Sequence, residues 1–401
     1  MKPKFTVIVP TRERADVLAS SLATVTAQDY DALEILVSDN ASQDATRDVV
    51  LSIRDPRIRY INTGRRVSMT GNFEFALSHV RDGWIAVLGD DDGLMPRALA
   101  AVADLATAAG VDAVRSAFAQ FFWPSVPGEP HGRLELPLAR GWELRDGRTW
   151  LQRVMRGDAS YGDLPYLYTG GFVSLALVDR IRRDGRVFGS CIPDVYSALA
   201  LASVLGPYVY SRTPLALHGV SRHSTGAAYL RPASSPDAAP VHTFRAEETI
   251  PMHPDIPYTD RGDYPQSVQA LVYECYRQSA WLREEEPDRH QDQLELVLAM
   301  IDANAEAIST WAERFAVRHG LDLERARRRA GRRRSLVLLR RLPHRLRLGV
   351  THVIESASVP MRDIHDATLV AAGAFRATPS LRSRARDTLR FVRRQITRLR
   401  R

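Results

Sequence analysis

Short apolar segments alternate with amphipathic ones through the first 115 residues, and this alternation restricts the fold more than any other feature. Runs rich in β-branched residues predict strands at 5–10, 34–38, 57–62, 84–88 and 111–114. Between them, apolar residues have the three- and four-residue spacing of helices, at 15–27, 45–53, 72–80 and 96–109. Strands separated by helices form βαβ units, so the sequence predicts an α/β fold with a mostly parallel sheet flanked by helices. Thr70 is the predicted cap of the third helix, and Pro96 suits the first turn of the fourth.

Acidic residues stand directly after two of the predicted strands. Gly89-Asp90-Asp91-Asp92 follows the strand at 84–88, and Asp39-Asn40-Ala41-Ser42 follows the strand at 34–38. Ligands of parallel sheets bind at the carboxyl ends of the strands, so Thr11 and both acidic segments are predicted to cluster. Adjacent carboxylates repel one another unless they are solvated or neutralised, and their oxygens suit Mg²⁺ or Mn²⁺. An acidic surface turn and a helix-capping turn are the alternatives.

Four segments of this half occur together in one order. They are Val7-Ile8-Val9-Pro10-Thr11-Arg12, Ser38-Asp39-Asn40-Ala41-Ser42 with Asp44, Gly71-Asn72-Phe73, and Gly89-Asp90-Asp91-Asp92. As a set they resemble the donor-binding half of family 2 glycosyltransferases, over residues 5 to 115. The resemblance implies a GT-A fold and a sugar transfer, with inversion, from a nucleotide diphosphate donor to an acceptor hydroxyl.

The resemblance also implies roles for single residues. Thr11 and Asp39 would contact the nucleotide, and Asp90 would lie near the ribose or the donor sugar. Asp92 would bind the divalent cation, Mn²⁺ or Mg²⁺, that holds the diphosphate. The donor-binding residues expected on this basis are Pro10, Thr11, Arg12, Asp39, Asn72, Asp90, Asp91 and Arg222. A solvated loop arginine is an equal alternative for Arg12.

An inverting transfer needs a carboxylate that removes the proton of the attacking hydroxyl. Family members carry it at the start of a helix well beyond the Asp-X-Asp motif, and Asp194 opens such a helical segment here. Asp194 is therefore the expected catalytic base. The family often has Glu-Asp at this point, whereas this chain has Pro193-Asp194. The alternative is that Asp194 only caps the helix.

The segment 217–224 resembles a later loop from which some family members supply a histidine to the metal. Either His218 or His223 fits that role, and a purely structural histidine is the alternative. Arg222 would neutralise the departing diphosphate. Gly170-Gly171-Phe172 is predicted either as a floor of small residues under a sugar or as a plain turn.

Charge divides the chain into an acidic body and a basic tail. Residues 321–401 hold 22 of the 55 basic and 6 of the 47 acidic residues, a net charge of +16 that leaves −8 on residues 1–320. The expected division is a nucleotide-sugar-binding half at 1–115, an acceptor-binding half at 116–232, a connector at 233–265 and a helical region with the basic tail at 266–401.

The tail has the pattern of basic amphipathic helices, with leucines between arginines at 335–348 and at 389–399. An anionic membrane surface is one predicted partner. Packing on the catalytic body, a subunit contact within a homo-oligomer and an unordered tail are the alternatives, and no specific nucleic acid is expected. No apolar run is long enough to span a membrane and no signal-peptide pattern begins the chain. With only two cysteines and no Cys-X-X-Cys, the expected location is the cytoplasm, with or without peripheral contact with the inner membrane face.

The partners predicted are thus a nucleotide diphosphate sugar and a glycan, lipid-linked or other hydroxyl acceptor, as in cell-envelope or other polysaccharide synthesis. Two other functions are compatible with a nucleotide-binding α/β sheet. A nucleotidyltransferase acting on a sugar phosphate usually has a glycine-rich loop after its first strand, where this chain has Pro10-Thr11-Arg12-Glu13-Arg14. A non-catalytic scaffold for polyanions or membranes would not need the aspartates at 39, 90, 92 and 194.

Overall fold

A computed structural model of the protein describes residues 2–126, 132–137, 139–224, 246–256, 267–284, 288–300, 305–347 and 351–376. The first part of the chain alternates strands and helices as predicted. Its elements are β1 (Phe5–Thr11), α1 (Ala15–Thr26), β2 (Leu33–Asp39), α2 (Thr46–Ser52), β3 (Ile58–Asn62), α3 (Met69–Leu77), β4 (Trp84–Val87), β5 (Gly93–Leu94), α4 (Ala98–Ala109) and β6 (Ala113–Ser116).

The remaining elements are shorter in the middle of the chain and mostly helical towards its C-terminus. The middle contains β7 (Gln120–Phe122), β8 (Arg133–Pro137), β9 (Trp142–Asp146), α5 (Gly147–Met155), a 3-10 turn (Tyr161–Asp163), β10 (Gly171–Ser174), α6 (Leu175–Asp179), α7 (Pro193–Val204), β11 (Pro207–Ser211) and β12 (Ala216–Val220). The last part contains α8 (Val268–Gln278), a 3-10 turn (Ala280–Leu282), α9 (His290–Ala299), α10 (Ala305–His319), α11 (Leu323–Arg347), β13 (Thr351–Glu355) and α12 (Ile364–Arg376).

Eight strands form the main sheet in the order β3-β2-β1-β4-β10-β6-β11-β9. β1 is parallel to β2 and to β4, and β2 is parallel to β3. β10 runs antiparallel between β4 and β6, and β9 is an antiparallel edge strand. A second sheet has the order β13-β8-β7-β12-β5. The prediction of an α/β fold with flanking helices and a helical C-terminal region is confirmed, and both sheets are mixed, with parallel and antiparallel pairs.

Alternation of side chains along β1 divides the core between the two faces of the main sheet. Phe5, Val7 and Val9 join the core that α1, α4 and α12 cover. Ile8 joins the other core, which α3, α5 and α7 cover together with α8, α9 and α10. C-terminal elements therefore close both faces of the sheet that the N-terminal half forms.

Three details differ from the sequence prediction. Ser68, not Thr70, caps α3, because its hydroxyl accepts a hydrogen bond from the Gly71 N–H at 3.0 Å. α4 begins after Arg97, whose φ of 63° places it in the left-handed region, so Pro96 precedes the helix instead of forming its first turn. Strand β13, which pairs with β8 over five residues, was not predicted at all.

The basic tail is only partly described. The arginine-rich segment 325–334 and the leucine-containing segment up to 347 belong to α11, whereas the amphipathic pattern at 389–399 lies outside the described residues, as does most of the predicted connector. None of the described helices combines the length and the apolarity needed to cross a lipid bilayer.

Candidate functional site

The carboxyl ends of the parallel strands meet at one edge of the main sheet. Thr11, the last residue of β1, is in register with Asp39, the last residue of β2, and Asp39 is in register with Asn62 of β3. The Gly89–Asp92 turn follows β4, which pairs with β1 on its other side. The predicted clustering of Thr11, Asp39 and the three aspartates is therefore what the sheet topology produces.

Asp90, Asp91 and Asp92 are buried, with 4%, 3% and 1% of their surface exposed. Arg14, in the loop after β1, lies 2.8 Å from Asp90 Oδ1 and 3.9 Å from Asp91 Oδ2. Among the described residues it is the one cation within 4 Å of these carboxylates, and it contacts Asp90 and Asp91 but not Asp92. Burial, with the neighbouring carboxylates, raises the pKa of Asp92 well above its usual range, and burial also raises the pKa of Asp90.

Asp91 and Asp92 both accept hydrogen bonds from residues 219–224. Asp91 Oδ2 accepts hydrogen bonds from the hydroxyls of Ser221 and Ser224, at 2.6 and 2.8 Å. Asp92 Oδ1 accepts from the Gly219 N–H at 2.5 Å, and its Oδ2 accepts from the Thr169 hydroxyl. The turn therefore joins the donor half of the sheet to the loop that follows β12.

Gly219 is required by this close approach. A Cβ added to Gly219 would lie 1.7 Å from the Asp91 carbonyl oxygen, which is backbone and cannot give way. This contact explains why residue 219, between His218 and Val220 in the segment 217–224, is a glycine. Gly171 is confined in the same way, because a Cβ there would lie 1.9 Å from the Tyr166 carbonyl oxygen. Gly170, with a φ of 81°, makes the turn into β10.

Asp39 is buried and accepts four hydrogen bonds. Its Oδ1 accepts from the backbone N–H and the hydroxyl of Ser42, and its Oδ2 accepts from the Tyr60 hydroxyl at 2.6 Å and the Asn62 amide at 3.1 Å. These bonds shape the loop after β2. Asn72 binds the same strand at Ser38. Its side-chain Nδ2 donates to the Ser38 carbonyl, and its Oδ1 accepts from the Ser38 hydroxyl.

Arg12 forms a two-pronged ion pair with Glu247, with N–O distances of 2.5 and 2.9 Å. Pro10, two residues before Arg12, belongs to β1 and is half-buried. The neighbouring Glu248 accepts a hydrogen bond from the Thr70 hydroxyl at 3.3 Å. Residues of the predicted connector thus lie against the strand ends where the donor is expected, which the sequence did not indicate.

Asp194 is the second residue of α7 and is partly exposed. Its Oδ2 accepts a hydrogen bond from the Tyr161 hydroxyl at 3.3 Å. Burial raises the pKa of the Asp194 carboxyl, and the Val195 N–H and the Tyr161 hydroxyl oppose that rise. Burial raises the pKa of Tyr166 to about 12, and the negative charges of Asp194 and Asp92 contribute to that rise.

The two candidate histidines point to different surroundings. His218 packs against the Phe118 ring at 4.5 Å between centroids, with Nε2 3.4 Å from the Tyr166 hydroxyl. Burial and the nearby Arg115 lower its pKa to about 3, so it is neutral. His223 Nε2 instead lies 3.0 Å from Asp16 Oδ2, an oxygen to which Arg222 also donates.

Metal ligation needs several side chains to converge. No three His, Cys, Asp or Glu side chains do so in the part of the chain that the structure describes. Asp92 and the two histidines therefore do not form a joint site, and their roles as ligands stay predictions.

Sequence reasoning missed several residues of this region. They are Arg14, Tyr161, Tyr166, Thr169, Ser221, Ser224 and Glu247. Arg14 was a possible candidate from the sequence, because it follows Arg12 by two residues in the same loop. Nothing in the sequence shows which of the two arginines contacts the aspartates.

Comparison with known proteins identifies part of the chain. Residues 6–161 match the model of glycosyl transferase family 2, a range that contains the aspartate turn and ends before Asp194. The resemblance found in the sequence is thereby confirmed over this range.

Two curated relatives are similar over parts of their length. The succinoglycan biosynthesis protein ExoO of Rhizobium meliloti is 34% identical over 108 residues, which are 27% of this chain and 31% of the relative. The GalNAc(5)-diNAcBac-PP-undecaprenol beta-1,3-glucosyltransferase of Campylobacter jejuni is 37% identical over 100 residues, 24% of this chain and 32% of the relative. The chain thus matches about a third of the length of each.

Solved structures with similar features include S. aureus TarS 1-349 in complex with UDP-GlcNAc, at 14% identity and a TM-score of 0.42, covering 86% of this chain and 92% of that one. The mannosyltransferase PcManGT of Pyrobaculum calidifontis, in complex with GDP-Man and Mn²⁺, has 16% identity and a TM-score of 0.41, covering 85% and 88%. At these values no residue role is transferred from either protein.

Proposed function

We propose that this chain, whose residues 6–161 match glycosyl transferase family 2, transfers a sugar from a nucleotide diphosphate sugar to an acceptor hydroxyl with inversion. One observation carries the proposal. Three carboxylates are buried at the carboxyl end of β4, inside the matched range, and among the described residues only the Arg14 guanidinium lies within 4 Å of them. Burying uncompensated charge is costly, so the turn is suited to a bound cation.

The residues present fit a divalent cation by their chemistry. Asp91 and Asp92 supply the oxygen ligands that Mg²⁺ and Mn²⁺ prefer; Asp91 is bound to Ser221 and Ser224, and Asp92 to Gly219. When bound, the cation would neutralise the diphosphate and stabilise it as a leaving group. The role of Asp92 includes a structural part, because its two oxygens already hold Gly219 and Thr169.

The chain's own groups supply positioning and proton transfer. Asp39 and Thr11, at adjacent strand ends, would contact the nucleotide. Asp194 would take the proton of the acceptor hydroxyl as its oxygen bonds to the anomeric carbon and the bond to the diphosphate breaks. A carboxyl whose pKa is raised by burial is a stronger base than one in water, which suits this role.

The likeness to polysaccharide-building relatives extends the proposal to the acceptor. A curated relative is named for a polyprenyl-diphosphate-linked glycan, so we include a glycan, free or lipid-linked, as the acceptor class. In this scheme residues 1–115 bind the donor and residues 116–232 bind the acceptor.

The outer face of α11 supports contact with an anionic membrane. Arg325, Arg328, Arg332, Leu336 and Leu339 follow one another at three- or four-residue intervals and are exposed, the two leucines by 51% and 63%. We call these five residues the outer stripe. The opposite face, with Ala326, Ala330 and Val337, is buried. Cationic side chains beside exposed leucines suit anionic headgroups and the acyl chains beneath them.

A thermal-shift panel tests the proposed function. The full chain would be heated with UDP-, GDP-, dTDP- and CDP-sugars, each with Mn²⁺ or with EDTA. A ligand at 100 times its dissociation constant adds about 2.7 kcal/mol to the free energy of unfolding, which is a readily measured shift. We expect one nucleotide class to stabilise the wild type only with metal.

Charge-removing variants complete the test. Asp91→Asn and Asp92→Asn should lose the metal-dependent shift. Asp82→Asn, an exposed acid paired with Lys4 at 2.9 Å, should keep it. Absence of any nucleotide-sugar shift in the wild type would contradict the proposed function.

A further inference from the structure

Phe118 is an exposed aromatic side chain on a fixed backbone. It is 51% exposed, whereas its neighbours Ala117 and Ala119 are each 1% exposed. The Ala117 N–H donates to the Ser211 carbonyl and the Ala119 carbonyl accepts from the His218 N–H, at 2.7 and 2.9 Å. Hydrogen bonds therefore hold the backbone on both sides of Phe118, while half of its apolar ring is exposed at a free-energy cost that burial would remove.

A row of rings leads from Phe118 towards Asp194. Phe118 lies over the His218 ring at 4.5 Å between centroids, tilted by 30°. His218 Nε2 is 3.4 Å from the Tyr166 hydroxyl, and the Tyr166 ring meets the Tyr161 ring edge-on at 6.3 Å. The Tyr161 hydroxyl donates to Asp194 at 3.3 Å.

Backbone and side-chain contacts hold this row in place. The Arg115 guanidinium lies 4.3 Å from the Tyr166 ring centroid and donates to the Tyr166 hydroxyl at 3.0 Å. Arg115 is itself 1% exposed and also donates to the carbonyls of Gly162 and Thr169. Arg115 thus fixes the position of Tyr166, and Phe118 is the most exposed ring of the row.

We propose that Phe118 is the platform on which a pyranose ring of the acceptor stacks, in an acceptor subsite that follows the row of rings to Asp194. Sugar rings have one face of C–H groups, whose partial positive charge favours the negative face of an aromatic ring. Binding sites combine such apolar surfaces with a few placed polar groups, here Asp194 and Tyr161. The inference rests on the proposed function, since it assigns the acceptor subsite of the same reaction.

Other exposed aromatic residues do not have this setting. Trp142 is 42% exposed on β9, the edge strand of the main sheet, and Trp281 is 39% exposed near Arg183, 5.4 Å from its ring. Neither takes part in the row that ends at Asp194. Trp142 is therefore a suitable control for the general effect of removing an exposed aromatic ring.

Saturation-transfer NMR tests the platform with defined probes. Methyl β-glycosides of glucose, galactose, N-acetylglucosamine and N-acetylgalactosamine, and methyl β-cellobioside, would be added to the full-length chain. We expect at least one probe to bind the wild type and Phe118→Trp through its C–H protons. Phe118→Ala should bind it about threefold to tenfold more weakly, the range expected for one aromatic contact. Trp142→Ala should bind like the wild type.

Several results would overturn the inference. They are equal saccharide binding by Phe118→Ala, no binding of any probe to the wild type, and a Phe118-dependent response to lipid or detergent alone. Donor binding is measured separately on the same variants by the metal-dependent thermal shift. Loss of that shift in the wild type contradicts the proposed function, whereas a normal donor shift with Phe118-independent saccharide binding contradicts only the platform.

Discussion

At the scale of single residues, the pair of Tyr161 and Asp194 makes the most direct link between geometry and chemistry. In the proposed mechanism Asp194 is the base and must be deprotonated, so activity should fall as the pH drops through its raised pKa. The Tyr161 hydroxyl stabilises the ionised form through its 3.3 Å hydrogen bond and thereby limits that rise.

Tyr161→Phe should therefore move the acid limb of the pH–rate profile to higher pH. One lost hydrogen bond to a carboxylate corresponds to about half to one pH unit, since one unit equals about 1.4 kcal/mol. The measurement is kcat/KM for transfer between pH 4 and 8. Asp194→Asn should abolish transfer at every pH while donor binding persists.

A control for Tyr161 comes from Tyr30, whose hydroxyl donates to the Pro3 carbonyl at 2.6 Å, far along the chain from the candidate base. Tyr30→Phe should leave the acid limb where it is in the wild type. If Tyr161→Phe gives the wild-type profile as well, or moves the limb to lower pH, Asp194 is not the titrating base.

The sequence indicated where the acidic residues would lie but not what would bind them. Asp39 and Asp90 follow apolar strands, and parallel topology alone brings such positions together. The hydrogen bond from Ser221 to Asp91 could not be predicted in this way. Ser221 is 130 residues from Asp91 along the chain, and its position depends on how the second sheet packs. Local patterns carry no information about such contacts.

At the scale of elements, the sequence predicted the regular alternation of strands and helices but not the residues at which α3 and α4 begin. The parallel strands β1, β2 and β4 have continuous apolar runs, which their burial on both faces produces. β13 has the sequence Thr-His-Val-Ile-Glu within an arginine-rich region, and only its pairing with β8 makes it a strand. The arginine-rich composition of the surrounding tail gave no indication of this strand.

The outer stripe of α11 gives the prediction at this scale. Replacing Arg328 and Arg332 with Ala should weaken binding to vesicles of 30% anionic lipid by about 2 kcal/mol, at roughly 1 kcal/mol per basic residue near the surface. A flotation or sedimentation assay at low and high salt measures it, and salt should weaken the wild-type interaction.

Arg327 provides the matched control for the stripe. It is on the same helix and exposed, but it is paired with Glu313 and Glu324 at 3.1 and 2.9 Å. Arg327→Ala should leave vesicle binding close to that of the wild type. Equal losses for paired and unpaired arginines would indicate a general charge effect, and no binding by the wild type would contradict membrane contact through α11.

At the scale of the whole molecule, the basic C-terminal region serves as part of the core as well as a charged surface. α12 packs against α1 and β5, on the sheet face opposite to α8, α9 and α10. Packing on the catalytic body was one of the alternatives for the tail, and the structure shows it for the described part. α12 thus covers α1, the helix that follows the first strand.

This arrangement predicts that a substitution in α12 destabilises the entire protein. Ile364 is fully buried and its side chain reaches towards Gly93, so Ile364→Ala should lower the free energy of unfolding by about 2–5 kcal/mol. Leu369→Ala, in the same helix but 52% exposed, should cost far less. Chemical denaturation followed by fluorescence compares the two. If Ile364→Ala behaves like Leu369→Ala, α12 is not part of the core. If Ile364→Ala unfolds at lower denaturant concentration in one cooperative transition, α12 and the main sheet fold as one unit.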